Sequence, residues 1–297
     1  MLIDNIRLFL IIAEKGSLVA AGREAGLSAT TVSERLAALE AHYGVVFFNR
    51  TTRSLSLTDE GRTLLSGARA VLGELEDLDT RIRYGAETLS GPIRISAPVD
   101  LGRSFVSKVI SAFTKQHPAI SIELSLSDGY IDIVSQGFDL ALRFGTITDS
   151  TLRIRNLGHF RRIVCAAPSY IHARGTPQQP EDLAQHNCLV MRFGTTLDNV
   201  WRFGSGKKTR TVTVRGNKTV NDGSLVRQWA VDGHGIILKS ELDVAPDLTS
   251  GKLVALLEEY AAPANPLQMM FPPGRAQPRR IRALAEVIST AMTEIGN

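Results

Sequence analysis

Residues 17 to 43 constrain this chain more tightly than any other stretch. Ser17 has the hydroxyl an N-cap needs, Ala25-Gly26-Leu27 has the composition of a tight turn, and Ser28 is a second N-cap opening a helix to about Tyr43. Within that second helix Val32, Leu36 and Leu39 recur on one face, which must pack against the helices before it. Two helices joined by a short glycine turn describe a helix-turn-helix. Gly22 falls where the two helices approach most closely, so its cost of about 1 kcal/mol relative to alanine has to be offset by packing. Gly26 supplies the positive φ of the turn, and Leu27 with Val32 fills the angle between the helices. Spacing alone also fits an ordinary αα-hairpin.

The residues that follow argue against a plain hairpin. Phe47 to Thr58 reads as a short β wing with Arg50 and Arg53 near its tip. Arginine beside a DNA-reading helix reaches phosphates or a narrow minor groove; solvated arginines on a surface loop would look the same in composition. Net charge does not decide it. The chain carries a formal +4, yet residues 1 to 90 hold ten Lys plus Arg against twelve Asp plus Glu, and the excess of basic residues lies beyond them. A nucleic-acid reading therefore rests on pattern, not on charge.

Thr58 with Asp59 and Glu60 gives an N-cap and an acidic first turn, favourable at the positive end of a helix dipole. From there Leu64, Ala68, Val71, Leu75, Leu78 and Ile82 recur at spacings of four and three, the a and d positions of a heptad. A helix of about 28 residues extends roughly 42 Å, too long to be buried on one small domain. It is expected to pair with a second copy of itself, the alternative being packing against its own chain. Pairing places two reading helices in two-fold symmetry, which predicts a pseudo-palindromic DNA site.

At 297 residues the chain is long enough for two or three compact units. It divides at Ser90-Gly91-Pro92, after which strands and helices alternate. Ile93–Ser96, Ile120–Leu126, Leu140–Phe144, Arg162–Ala166, Thr211–Val214, Gly235–Leu238 and Leu267–Phe271 read as strands. Phe105–Gln116, Leu225–Val231 and Arg279–Ile295 read as helices. Such alternation argues for α/β architecture with parallel sheets. The apolar run Leu8 to Ala13 lacks the basic leader and cleavage site of a signal peptide and has helical periodicity, with Ile6, Phe9, Leu10 and Ala13 on one face. No apolar stretch approaches the length of a membrane span, and no membrane partner is expected. Cys165 and Cys188 are too few for a disulfide framework and have no metal-like spacing; they read as small buried apolar residues in a reduced compartment.

In Ser17 to Glu40, Phe48-Asn49-Arg50-Thr51-Thr52-Arg53, Leu57-Thr58-Asp59-Glu60-Gly61 and Gly137-Phe138-Asp139-Leu140-Ala141-Leu142-Arg143, in that order, the chain closely resembles the LysR-type transcriptional regulators. The resemblance covers essentially the whole chain. It implies a winged helix-turn-helix over 1–57, a linker and dimerisation helix with hinge over 58–90, and a two-lobed periplasmic-binding-protein-like α/β effector domain over 91–297. The first lobe would be 91–164 plus 267–297 and the second 165–266. The implied protein is a cytoplasmic, sequence-specific DNA-binding regulator controlled by a small molecule held between the lobes. Its partners would be double-stranded DNA, that effector, further copies of itself up to a tetramer, and RNA polymerase; no cofactor or metal is implied.

Carried onto this sequence, the DNA contacts fall on Ser28, Ala29, Thr30, Thr31, Ser33, Glu34 and Arg35 of the second helix and on Arg50, Thr51, Thr52 and Arg53 of the wing. Ala29 stands where the family often has glutamine, and Glu34 where it often has arginine. A glutamate near phosphates is repelled unless it accepts from cytosine N4 or pairs with an arginine, so Glu34 is expected to select an unusual half-site.

The effector contacts fall on Val99, Asp100 and Leu101 after the first strand, Ser127 and Asp128 after the second, Arg143 and Phe144 after the third, Phe193 and Trp201 in the second lobe, and Asp222 with Gly223 at a helix start. The helix opening near Asp100 would offer free amides to an anion. Asp100 itself would repel a carboxylate unless Arg103 or Arg143 neutralises it, or unless it caps its helix and points away.

Two other classes are disfavoured. A transport-type solute-binding protein shares the expected C-terminal fold but has no use for residues 17 to 55. An enzyme would need a motif that is missing: Gly204-Ser205-Gly206-Lys207-Lys208-Thr209 fails the phosphate-loop spacing, no Gly-x-Ser-x-Gly elbow occurs, and the six histidines, His234 included, form no pattern with a nucleophile or metal ligand.

Overall fold

A computed structural model describes residues 2–50, 55–85, 88–129, 131–146, 151–204, 209–273 and 277–296. The N-terminal unit packs α1 (Leu2–Lys15), α2 (Leu18–Ala25) and α3 (Ala29–Tyr43) around Phe9, Ile12, Val32, Leu36 and Leu39. Both serine caps form: Ser17 accepts from the Ala20 amide and Ser28 from the Thr31 amide. Gly26 ends α2 with φ 65°, a conformation costly for any residue with a Cβ. At Gly22 a Cβ would stand 2.6 Å from the Leu27 carbonyl oxygen and 3.3 Å from Val32, so the helix crossing itself requires glycine. In α1 the buried face centres on Ile6, Phe9 and Ile12, with Leu10 and Ala13 only half-buried.

The wing is an antiparallel pair of β1 (Phe48–Arg50) and β2 (Leu55–Leu57), with Phe48 opposite Leu57. Phe47 and Phe48 close the core on Phe9, at ring distances of 5.4 and 5.2 Å. Glu40 of α3 accepts from the Phe47 amide at 2.9 Å and so fixes the wing to the helix. Then α4 (Asp59–Tyr84) starts at its Thr58 cap, whose hydroxyl also donates to the Val46 carbonyl at 2.7 Å.

The C-terminal region begins with β3 (Gly91–Ala97), a short α5 (Val99–Leu101) widened by a π turn at Gly102–Val106, α6 (Ser107–Gln116), β4 (Ile120–Leu126), β5 (Leu140–Phe144) and β6 (Arg153–Phe160). The chain then crosses into β7 (Arg162–Ala166), α7 (Pro168–Arg174), β8 (Val190–Phe193), β9 (Thr196–Leu197), β10 (Val200–Phe203), β11 (Arg210–Thr213), β12 (Thr219–Val220), α8 (Gly223–Val231), β13 (Ile237–Ser240), α9 (Glu241–Thr249) and β14 (Val254–Leu256). It returns through β15 (Asn265–Phe271) and ends in α10 (Arg279–Gly296).

The first-lobe sheet has the order β4-β3-β5-β15-β6. β3 is parallel to β4 and β5, as alternation predicts, but β15 is antiparallel to both β5 and β6. The reason is the crossover: β15 enters from the second lobe, so it starts where β5 and β6 end and must run the other way. The second lobe departs further from the parallel expectation, because β7 lies between β13 and β14 and is antiparallel to both.

The two crossings fall at Arg161 and at 261–264, since Arg162 already pairs with Ser240 in the second sheet and Asn265 with Phe160 in the first. The expected divisions at 164/165 and 266/267 therefore shift by a few residues, so that β7 stays whole within one sheet. Separate cores fill the lobes, one around Ile93, Ile95, Leu140, Leu142, Leu267 and Leu284, the other around Cys188, Trp201, Phe203 and Ile236. Arg280 fastens α4 to the first lobe, donating to the carbonyls of Pro92 at 2.9 Å and Gly73 at 3.1 Å.

Candidate functional site

The exposed N-terminal end of α3 presents Ala29, Thr30 and Glu34, with Thr31, Ser33 and Arg35 half-buried behind them. Ser28 and Thr31 are partly committed to each other: their hydroxyls lie 2.9 Å apart, and Ser28 also holds the Thr31 amide at 3.1 Å. Capping thus fixes the helix end and lowers the freedom of these two hydroxyls to bind elsewhere. Glu34 is exposed and has no ion-pair partner among the described residues. Thr51, Thr52 and Arg53 of the wing lie outside the described residues, and for Arg50 only the backbone in β1 is described.

Along α4 the six heptad residues divide. Ala68 is buried in the N-terminal core together with Leu65 and Leu72, and Leu64 packs against the same cluster. These two expected seam residues therefore belong to their own chain: the first turns of the helix must cover α1 and the wing before anything else can reach them. Beyond that point the apolar stripe is open, with Val71 59%, Leu78 45% and Ile82 74% exposed and Leu75 half-buried.

Between the lobes lies a cavity of about 300 Å³. The first lobe contributes Pro98, Asp100, Asp128, Arg143 and Phe144, the second Met191, Phe193, Leu238, Lys239, Ser240 and Asp243, and the strand ends flanking the crossovers Phe160, Arg162 and Asn265. The carboxyl ends of β3, β4 and β5 open onto it, the position where α/β sheets hold ligands.

The two lobes meet at Asp100. Its carboxylate pairs with Lys239 of β13 and accepts from Ser224 of α8 at 2.6 Å, and Lys239 also pairs with Asp243 of α9 at 3.2 Å. All three charged side chains are buried. Gly223 makes this approach feasible, because a Cβ there would lie 2.2 Å from the Asp100 carboxylate and 2.6 Å from the Lys239 ammonium. At the rim Arg103 and Asp222 form an exposed pair at 3.4 Å, which adds little in stability.

Burial and charge act against each other in this cluster. Burial alone would lower the Lys239 ammonium, but Asp243 and Asp100 outweigh it and hold it above the usual lysine range. Burial pushes the Asp243 carboxyl up to about 6, against the attraction of Lys239. Asp128 is also raised by burial, although one oxygen accepts from the Val99 amide at 3.0 Å. Burial lowers the Arg143 guanidinium to about 10. That guanidinium is held by the Leu142 carbonyl at 2.6 Å and the Ser96 hydroxyl at 2.9 Å.

A family model for the LysR substrate binding domain matches residues 86–293, and one for the bacterial regulatory helix-turn-helix protein, lysR family, matches residues 3–62. The chain belongs to the LysR family. It is a transcriptional regulator with a helix-turn-helix DNA-binding domain and an effector-binding domain. Among relatives of this LysR-type regulator, the transcriptional regulator DmlR of Escherichia coli K12 is 32% identical over 264 residues, covering 89% of this chain and 86% of that one. The regulator PtxR of Pseudomonas aeruginosa is 33% identical over 285 residues, covering 96% and 91%. The solved structure of CrgA, a LysR-type regulator from Neisseria meningitidis, superposes with TM-score 0.63 at 29% identity over 99% of both chains.

Of the effector residues expected in this LysR-type chain, the structure brings Asp100, Asp128, Arg143, Phe144 and Phe193 to the cavity and places Asp222 and Gly223 at the lobe contact beside it. It does not bring Val99, Leu101, Ser127 or Trp201 there. Leu101 and Trp201 are buried in the cores of their lobes, with the indole N–H donating to the Asp198 carbonyl at 3.0 Å. Val99 is buried, and the Ser127 hydroxyl accepts from the Gly129 amide at 3.2 Å. The Val99 amide, expected to be free for an anion, is occupied by Asp128.

Asp100 is neutralised by Lys239, not by Arg103 or Arg143, and it caps nothing. Sequence reasoning missed Lys239, Ser240 and Asp243. The available signal was a lysine in the apolar strand Ile236-Ile237-Leu238-Lys239 with an aspartate four residues on. Both cysteines are buried, and burial pushes their thiols up to about 12, which leaves them inert. Among the described residues no helix is long and apolar enough to cross a membrane.

Proposed function

We propose that this LysR-family protein reads a pseudo-palindromic operator in the cytoplasm with two copies of α3, delivered as a pair by α4, and that a small effector held between the lobes changes that occupancy. The observation that carries the effector half is the Asp100–Lys239 contact. One partner stands on each lobe and both border the same cavity, so whatever fills the cavity bears directly on the contact that sets the lobe spacing.

For the DNA half, Ala29, Thr30 and Glu34 are the exposed side chains at the helix end that enters a major groove in this motif. Ser28, Thr31, Ser33 and Arg35, with the wing residues Arg50, Thr51, Thr52 and Arg53, would position the protein on phosphates and groove edges. Glu34 cannot favour a phosphate, so it is assigned to base selection through cytosine N4. For assembly, Val71, Leu75, Leu78 and Ile82 form the seam of a dimer, and family resemblance extends that to a tetramer and to contact with RNA polymerase.

Selection of binding sites from random duplexes tests the reading directly. The wild type should enrich a two-fold symmetric site, and Glu34→Gln should shift preference at one position in each half-site. Equal, salt-sensitive attachment to every duplex would refute operator recognition, and an unchanged preference in the variant would refute the role of Glu34.

A further inference from the structure

The cavity between the lobes has a sharper chemistry than its size suggests. Three buried polar atoms around it make no hydrogen bond of normal geometry: Asp128 Oδ2, Ser240 Oγ and Asp243 Oδ1. The Gly223 amide lies close enough to Asp128 to favour its ionised form, but the oxygen stays short of a full bond. Two of the three are carboxylate oxygens, which only accept. Opposite them, Arg143 is fixed by two neutral acceptors, and no carboxylate among the described residues lies within ion-pair distance of it. A buried guanidinium with no ion-pair contact, although Asp128 stands near enough to attract it, and single buried carboxylate oxygens without donors are both unfavourable arrangements, and both face one space.

We propose that the effector is a small carboxylate bearing a hydrogen-bond donor, a hydroxyl or an amine, close to its carboxyl group. Its carboxylate lies on Arg143 and its donor on Asp128 and Asp243. This rests on the reading of the cleft as the effector site.

The alternatives fail on the same groups. A plain carboxylate satisfies Arg143 but leaves the aspartate oxygens unpaired and adds a like charge beside them. A plain amine satisfies the aspartates and leaves the guanidinium bare. A cavity of about 300 Å³ stands at the small end of the range for ligand pockets. The carbon skeleton is correspondingly short, with Phe144 and Met191 as its apolar contacts.

The test uses the full-length protein and matched sets of ligands: propionate with its 2-hydroxy and 2-amino derivatives, and butanedioate with the same two substitutions. Affinity is read by calorimetry. A donor-bearing member should bind at least about tenfold tighter than its parent, the expected cost of leaving buried acceptors unpaired. Asp243→Asn should erase that advantage, while Arg143→Lys, which keeps the charge, should weaken parent and derivative alike. Melting temperature and circular dichroism establish that both variants fold. The hydroxy and amino arms identify which donor is used.

Parents that bind as tightly as their derivatives, or no binding by either set at 10 mM (roughly the weakest affinity of interest), would overturn the proposal. The cleft reading would survive that result if a ligand of another class lost affinity in Arg143→Lys. It would fall separately if a ligand that melts the protein later were indifferent to both substitutions.

Discussion

Removal of the Lys239 ammonium is the most informative single perturbation of this fold. In Lys239→Met the stem of the side chain is kept and its charge is lost, leaving Asp100 and Asp243 facing each other in a buried site. Their side chains are 9% and 6% exposed, so water replaces the ammonium poorly. Breaking a buried ion pair from one side costs about 3–5 kcal/mol, and two carboxylates share this one cation, which places the loss at the upper end. For a region of this size each kcal/mol moves the melting temperature by roughly 2–4 °C, so a fall of roughly 10–20 °C is expected at pH 7.5.

The loss should depend on pH with a definite sign. The Asp243 carboxyl titrates at about 6 in the folded protein against 3.8 unperturbed, so the folded state holds its proton more tightly than the unfolded chain. A group raised in this way favours folding at low pH, and its contribution falls away as pH rises through the folded value. Without Lys239 the carboxyl rises further, is neutral at pH 5.5, and the penalty shrinks. Lys239→Met with Asp100→Asn and Asp243→Asn should recover most of the loss at pH 7.5, since none of the three cluster positions then carries a charge. Urea unfolding at the two pH values reads all of this. A deficit below about 1 kcal/mol at pH 7.5, or one that does not shrink at pH 5.5, would refute the account of the cluster.

Three further outcomes follow from the geometry. Gly22→Ala gains helix propensity but drives a Cβ to 2.6 Å from the Leu27 carbonyl, so a net loss of about 1–3 kcal/mol is expected from overpacking, read as a lower melting temperature and weaker DNA binding. Trp201→Phe removes a fully buried indole and its bond to Asp198; stability should fall by about 1–3 kcal/mol while the affinity of any cleft ligand stays within twofold, roughly 0.4 kcal/mol, and a larger affinity loss would restore Trp201 to the site. Leu78→Asp with Ile82→Asp places charges on the open stripe of α4 and should yield monomers by sedimentation velocity with the N-terminal fold intact; unchanged oligomers would move the interface elsewhere.

The N-terminal half was legible because its determinants are close in sequence. Ser17 and Ser28 meet amides three residues on and Gly22 meets Leu27, so spacing contains these contacts, whereas the tie from Glu40 to Phe47 was not read from it. The limit of that method shows on α4. A heptad pattern counts apolar residues without saying what they touch, and it could not separate Ala68, which covers its own core, from Ile82, which is free. The strands β8, β9, β10, β12 and β14 and the helices α7 and α9 were likewise not anticipated, because short elements with mixed burial carry no clean period, and β6 was missed despite its eight residues because its burial does not alternate.

The cleft was only half legible, and the reason lies in what a buried charge needs. Asp100 could be recognised as awkward, since an aspartate near an expected anion site demands a partner, but the arginines nearest in sequence and in family position were not the ones that reach it. Its partner lies 139 residues away on the other lobe. Lys239 is interpretable only once β13 is known to face α5 across the crossover, and Asp243 only once α9 is known to turn the same way. Conversely, Trp201 was expected at the ligand only from its matched position in the family, whereas here its indole finds a carbonyl within its own lobe and needs nothing from outside. A buried polar group should therefore be judged by the partner it has acquired: one fully paired within its lobe is structure, and one paired across lobes or left unpaired at their boundary is where a ligand can shift the balance.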